Sequence, residues 1–125
     1  QYCVECHKPG KAEGKVLLTA EPQGRFTVSY NALVSRVSYS VWGGKPGDFR
    51  VVNNEPATQP GFFGARNSSL MALLRKGHEK VVLPPEAMER LTTWMDANAL
   101  FYGTFDPADQ ARQLRGERID GPALQ

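Results

Sequence analysis

The residues best suited to chemistry stand at the start of the chain. Its two cysteines fall within the first six residues and a histidine follows the second, giving Cys3-Val4-Glu5-Cys6-His7. This C-x-x-C-H spacing is that of c-type haem attachment. Two thiols three residues apart share one face of a short helical turn, where both can add to the two vinyl groups of one porphyrin. His7 then lies beneath the iron as its proximal ligand. Covalent bonds to Cys3 and Cys6 abolish dissociation of the cofactor, so one haem c becomes part of the core.

Three other uses of these residues compete. A Cys3–Cys6 disulfide closes so small a loop that it stabilises little. A thioredoxin-like redox pair belongs at the head of a helix within a βαβ unit, and no such pattern surrounds this one. Zinc is the stronger rival. The chain has two histidines, so Cys3, Cys6, His7 and His78 could form a Cys2His2 set that staples an interaction module. Joint ligation of one tetrahedral ion by the adjacent Cys6 and His7 is awkward, which favours haem.

What a haem does depends on its second axial position, which nitrogen and thioether side chains can fill. The candidates are His78, Met71, Met88 and Met95. Helical periodicity puts the three methionines on apolar stripes, where packing is the ordinary role of Met. His78 follows a helix-ending glycine and heads a loop. On position alone it reads equally as a presented ligand or as an exposed loop histidine. An open iron position would instead permit peroxidase-like or gas-binding chemistry.

Several elements must position these groups. Ser29 reads as the N-cap of a short amphipathic helix carrying Tyr30, Leu33, Val34 and Val37. From Trp42 to Gly64, Gly and Pro recur too densely for a helix, and the segment reads as a long wrapping loop anchored by Phe49, Val51, Val52, Phe62 and Phe63. Ser68 or Ser69 opens a second helix with Leu70, Met71, Leu73 and Leu74 facing inward, and Gly77 ends it. Pro84-Pro85 starts a third, with Met88, Leu91, Trp94 and Met95 on one stripe, Leu83 as a staple and an end near Asn98. An aromatic patch over 100–105 follows, and residues from Asp106 onward read as a polar surface segment.

Composition bounds the classes. The chain has 125 residues, 12 of them Gly and 9 Pro, and is 41% hydrophobic. That suits one domain whose side-chain core is thin enough to need a staple or cofactor. A charge of +2, from 15 Lys+Arg against 13 Asp+Glu, lacks the concentrated basic character of a nucleic-acid binder. No apolar run approaches the ~20 residues of a membrane span. An opening on Gln1 without a signal-peptide pattern reads as a piece of a longer protein.

The stretch from Ser69-Leu70-Met71 through Gly77-His78-Glu79-Lys80-Val81-Val82-Leu83, then Trp94-Met95-Asp96-Ala97-Asn98 and Tyr102-Gly103, joins C-x-x-C-H and Ser29-Tyr30 in one pattern. Over residues 3–105 it resembles the single-haem cytochrome c domains at the C-terminal end of large periplasmic proteins related to the hydrazine synthase alpha subunit. The resemblance implies a mainly α fold, a small cytochrome c-like domain of three to four short helices with long loops around one covalently bound haem. Residues 1–105 would form it, with 106–125 a polar surface segment of the same domain. It also implies bis-histidine ligation, His7 proximal and His78 distal. Met95, Ala97 and Ala99-Leu100 depart from the family pattern, changes that bear on packing and leave the ligands intact.

For the haem propionates, Arg50 is the first choice of partner, because an arginine among apolar neighbours (Phe49 and Val51) usually meets an anion. Trp42 and Tyr30 follow it. With both axial positions filled by protein, the expected role is electron transfer and not catalysis at the iron. Bis-histidine ligation favours a lower potential than His/Met. Near-neutral charge gives little steering, so the redox partner, such as an oxidative enzyme, is expected to be transient or tethered in the same polypeptide. The isolated domain reads as a monomer. Covalent haem attachment takes place outside the cytoplasm, which points to the periplasm or cell surface.

Overall fold

The computed structural model describes residues 2–39 and 60–121. The chain enters through the cysteine motif, which forms one turn: the His7 amide donates to the Cys3 carbonyl at 3.2 Å. A hairpin follows at once, β1 (His7–Lys8) pairing antiparallel with β2 (Lys11–Ala12). Pro9-Gly10 makes its bend, with Pro fixing one φ and Gly10 taking a φ of 82° that side-chain-bearing residues avoid. A second hairpin joins β3 (Pro22–Gln23) to β4 (Phe26–Thr27). These hairpins leave no signal in the sequence, because strands of two residues have no alternation to detect.

Helix α1 spans Val28–Val34, and its N-cap is Thr27, two residues earlier than the expected Ser29. The Thr27 hydroxyl accepts from the Tyr30 amide at 3.3 Å, satisfying one of the free donors at a helix start. Val37, expected on this helix, lies beyond its end but is buried. Helix α2 spans Ser69–Lys76 after a 3₁₀ turn at Ala65–Asn67, and α3 spans Pro85–Asp96. Ser68 stands at the N-cap of α2 without a side-chain bond there; the Arg36 carbonyl accepts from the Leu70 amide at 3.1 Å and from the Ser69 hydroxyl at 3.2 Å.

The core lies where α2, α3 and the 3₁₀ turn meet. Val37, Ala65, Leu70, Met71, Met95 and Ala99 form it, with Leu33, Val34, Leu74, Met88, Leu91 and Trp94 packed around. Leu73, expected to face inward, is exposed. Its position on α2 turns it from the stripe that Leu70, Met71 and Leu74 share. The buried Ser68 is fully partnered: its hydroxyl donates to the Gly64 carbonyl at 2.7 Å and accepts from the Ser38 amide at 3.0 Å. Gly64 has a φ of 78°, and a Cβ there would strike the Asp96 carboxylate. That carboxylate accepts from the Ala65 amide at 2.8 Å, tying the end of α3 to the turn.

Beyond α3 an aromatic group gathers Phe26, Tyr30, Trp94, Phe101 and Tyr102, with neighbouring ring centres 4.7–6.1 Å apart. It joins β4 and α1 to the segment after α3. The part read as a polar surface segment contains a helix, α4 (Pro107–Leu114). Asp106 caps it, its carboxylate accepting from Ala108 and Asp109 amides at 2.8 and 3.1 Å, and Pro107 occupies the first turn, where a proline costs no hydrogen bond. Among the described residues no helix is long and apolar enough to cross a membrane.

Candidate functional site

The N-terminal motif places three functional side chains within one turn. The Cys6 and His7 amides both reach back to the Cys3 carbonyl, at 3.3 and 3.2 Å. This is the helical geometry that brings thiols three residues apart onto one side. Cys3 and Cys6 are both free thiols and half-buried, so no disulfide links them.

His7 is held from three directions. Its amide is in the turn, its carbonyl accepts from the Leu18 amide at 2.8 Å, and its ring Nδ1 lies 3.1 Å from the Val16 carbonyl. A carbonyl can only accept, so Nδ1 carries the proton in the neutral ring and Nε2 keeps its lone pair. That is the tautomer a metal-ligating imidazole needs, and a hydrogen bond of this kind also fixes the ring's orientation. The hairpin after His7 leads the chain away, and residues 16–18 bring it back to make both contacts.

His78 comes from the other side of the fold, directly after Gly77 at the end of α2. Its ring lies almost parallel to that of His7, with an interplanar angle of 8° and ring centres 6.0 Å apart. Two imidazoles on opposite sides of one metal, with bonds of about 2 Å, would have ring centres roughly 6 Å apart, a spacing that the His7–His78 pair shares with plain stacking of parallel rings. Neither ring is fully buried.

The pair therefore suits a group that brings its own remaining metal ligands, as a porphyrin brings four nitrogens. It does not suit a metal caged wholly by protein: among the described residues no three or more of His, Cys, Asp and Glu converge to hold an ion. The four-ligand set of Cys3, Cys6, His7 and His78 is thus not assembled here.

The other candidates sort by burial. Met71 and Met95 are 1% and 0% exposed within the core, and Met88 packs against that core. All three take the packing role open to methionine on a helix stripe. Tyr30, considered for a propionate, donates its hydroxyl to the Ala99 carbonyl at 2.9 Å. Burial pushes its phenol up, with a smaller contribution from Tyr39, so it stays neutral and structural. Arg50 and Trp42 lie outside the described residues, as does most of the loop expected to wrap the cofactor.

One feature of the site has no signal in the sequence. Glu79 and Lys80 follow His78 with φ of 49° and 62°, and His78 bridges to Val81 across them. Turns of this type normally use Asn or Gly, so Glu-Lys gave no hint of one.

The chain matches no family model, no curated protein and no solved structure.

Proposed function

We propose that this chain is an electron-transfer domain of the c-type cytochrome class, carrying one haem covalently bound through Cys3 and Cys6, with His7 and His78 as its axial ligands. The observation that carries this reading is the His7–His78 pair: two imidazoles, one inside C-x-x-C-H and the other far along the chain, 8° from parallel and 6.0 Å between centres. The fixed tautomer of His7 supports it, and so does the free state of both thiols.

When bound, the haem supplies a one-electron iron couple. The chain's own residues do the rest. Cys3 and Cys6 hold the group against dissociation. The Val16 carbonyl keeps the His7 ring in one tautomer and one orientation. His78 would hold the group from the side opposite His7 and would leave no position for a substrate or gas, which is why the role proposed is electron transfer. The same chemistry puts the domain in the periplasm or on the cell surface, where such haem is attached. Its redox partner, an oxidative enzyme for example, is met transiently or through a tether, given a net charge of +2 and correspondingly weak steering.

One measurement tests this reading. Purified protein produced with haem-attachment machinery should show a low-spin visible spectrum, with sharp bands after dithionite reduction. Its colour should remain with the polypeptide under denaturing conditions. His78→Ala should convert it to high-spin. A protein without a Soret band sinks the haem assignment; an unchanged spectrum in His78→Ala returns the distal position to a methionine.

A further inference from the structure

The two imidazoles are held by different means. His7 is fixed through its ring, by the Val16 carbonyl at 3.1 Å. The ring of His78 hydrogen-bonds to no described residue, so its place opposite His7 depends on its backbone. That backbone is left-handed over consecutive residues, as it also is at Asn98-Ala99 after α3. Gly77 has a φ of 88°, and the next two residues after His78, Glu79 and Lys80, have φ of 49° and 62°. The Val81 amide closes the turn on the His78 carbonyl at 2.9 Å. Two successive positive φ values define the tight turn that Asn-Gly favours. Side chains such as Glu and Lys adopt it only when their surroundings over-determine it, and such strain gathers at sites that hold something in position. The surroundings here are firm on both sides: α2 ends at Lys76 and α3 begins at Pro85, and their Met71 and Met95 sit in the core.

We propose that Glu79 and Lys80 are positioning residues, whose left-handed turn sets the place and ring plane of His78 opposite His7. This rests on the reading of these two histidines as axial ligands. The turn does for His78 what the Val16 carbonyl does for His7. It acts through conformation and not through charge: neither carboxylate nor ammonium makes an ion pair with a described residue. Among the described residues, the distal ligand is thereby held by main chain and not by a side-chain hydrogen bond.

The test uses the haem-loaded full chain and added free imidazole as competitor for the distal position, read by visible absorption, with electron paramagnetic resonance reporting the relative orientation of the ligand planes. Lys80→Gly relaxes the turn, Lys80→Val strains it further because a branched Cβ resists positive φ, and Lys80→Pro forbids it. Lys80→Val should admit added imidazole at about tenfold lower concentration than Lys80→Gly, and Lys80→Pro should lose the near-parallel resonance signature or turn high-spin. Glu79→Ala with Lys80→Ala strips the charges and keeps wild-type behaviour. Equal competition by imidazole in the Gly, wild-type and Val proteins overturns the proposal, and that series decides even if Lys80→Pro does not fold. His78→Ala separates the two ideas. If it turns high-spin while the Lys80 series stays flat, only the turn's role fails. If it leaves the spectrum unchanged, the ligand assignment itself fails and the turn's role with it.

Discussion

Residues 2–36 and residues 64–99 are built on opposite principles. The first contain the cysteine motif, two hairpins and α1, yet none of their described side chains is buried. The second contain Ala65, Ser68, Leu70, Met71, Met95 and Ala99, all buried around the meeting of α2 and α3. The helical region is held by packing, whereas the first residues are held by turns and backbone hydrogen bonds such as Leu18 to His7, and packing enters only from Phe26, Tyr30, Leu33 and Val34 onward. Hydrogen bonds exposed to water contribute little net stability, so the region that carries the attachment motif is the one with least core of its own. A covalently held cofactor against it would supply the missing apolar contact. Beside the aromatic contacts of Phe26 and Tyr30 with Trp94 and Phe101, a group held by His7 and His78 would join the two regions a second time.

The largest expected effect comes from cutting that join. Cys3→Ser with Cys6→Ser should abolish covalent haem entirely, read as loss of haem staining on a denaturing gel. Hydrogen exchange should then rise across 2–27 while α2 and α3 keep their protection. Loss of protection in both regions together would show a single cooperative unit.

Next in size is Met95→Ala. Met95 is 0% exposed, and truncating a buried methionine costs about 2–5 kcal/mol. Denaturant unfolding should show that loss, whereas truncating a half-exposed N-terminal residue such as Val16 should cost far less in the haem-free protein. Similar losses would erase the distinction between the two regions.

Asp106→Ala should cost about 0.5–2 kcal/mol, the value of an N-cap, and confine its effect to α4. Hydrogen exchange of 107–114 should rise with the visible spectrum unmoved. Any spectral change would connect α4 to the site.

The smallest effect concerns pH. A hydrogen bond and charge from Arg115, with a second contribution from Arg112, hold the exposed Glu117 carboxyl below its ordinary 4.5. A depressed carboxyl stabilises fully above its unfolded-state pKa, and this is lost as pH falls through the lowered value. Wild type and Glu117→Gln should therefore differ slightly in melting temperature at neutral pH and converge in more acidic solution. Added salt should shrink the difference, since the pair is exposed.

The sequence made some of this legible and left some hidden, for physical reasons. Helices α2 and α3 show in the spacing of their apolar residues, in Gly77 and in Pro84-Pro85, because local rules govern them. Leu73 was misassigned because spacing alone sets the stripe's centre loosely. Helix α4 was missed although Asp106-Pro107 is a cap followed by a first-turn proline; the density of charges beyond it suggested a tail. The two hairpins are too short to leave a period. At the site, Cys3, Cys6 and His7 are legible as a motif because their spacing is local along the chain. His78 is singled out as the other imidazole and by the family resemblance, but its near-parallel ring contact with His7 is a tertiary feature, and the Glu79-Lys80 turn contradicts local preference, so neither geometry follows from residue types.

The path from His7 to Val16 has a consequence for engineering. His7 is gripped by Cys3 behind it and by Val16 and Leu18 ahead of it, so residues 8–15 form an out-and-back excursion that starts and finishes at one histidine. At the bend Gly10 has no neighbouring atom within 4 Å of where a Cβ would stand, nor does Gly14. Lengthening a loop adds closure cost only slowly. The tip between Pro9 and Gly10 is therefore a handle, a place to graft a tag, an electrode linker or a second protein close to the motif without disturbing the grip on His7.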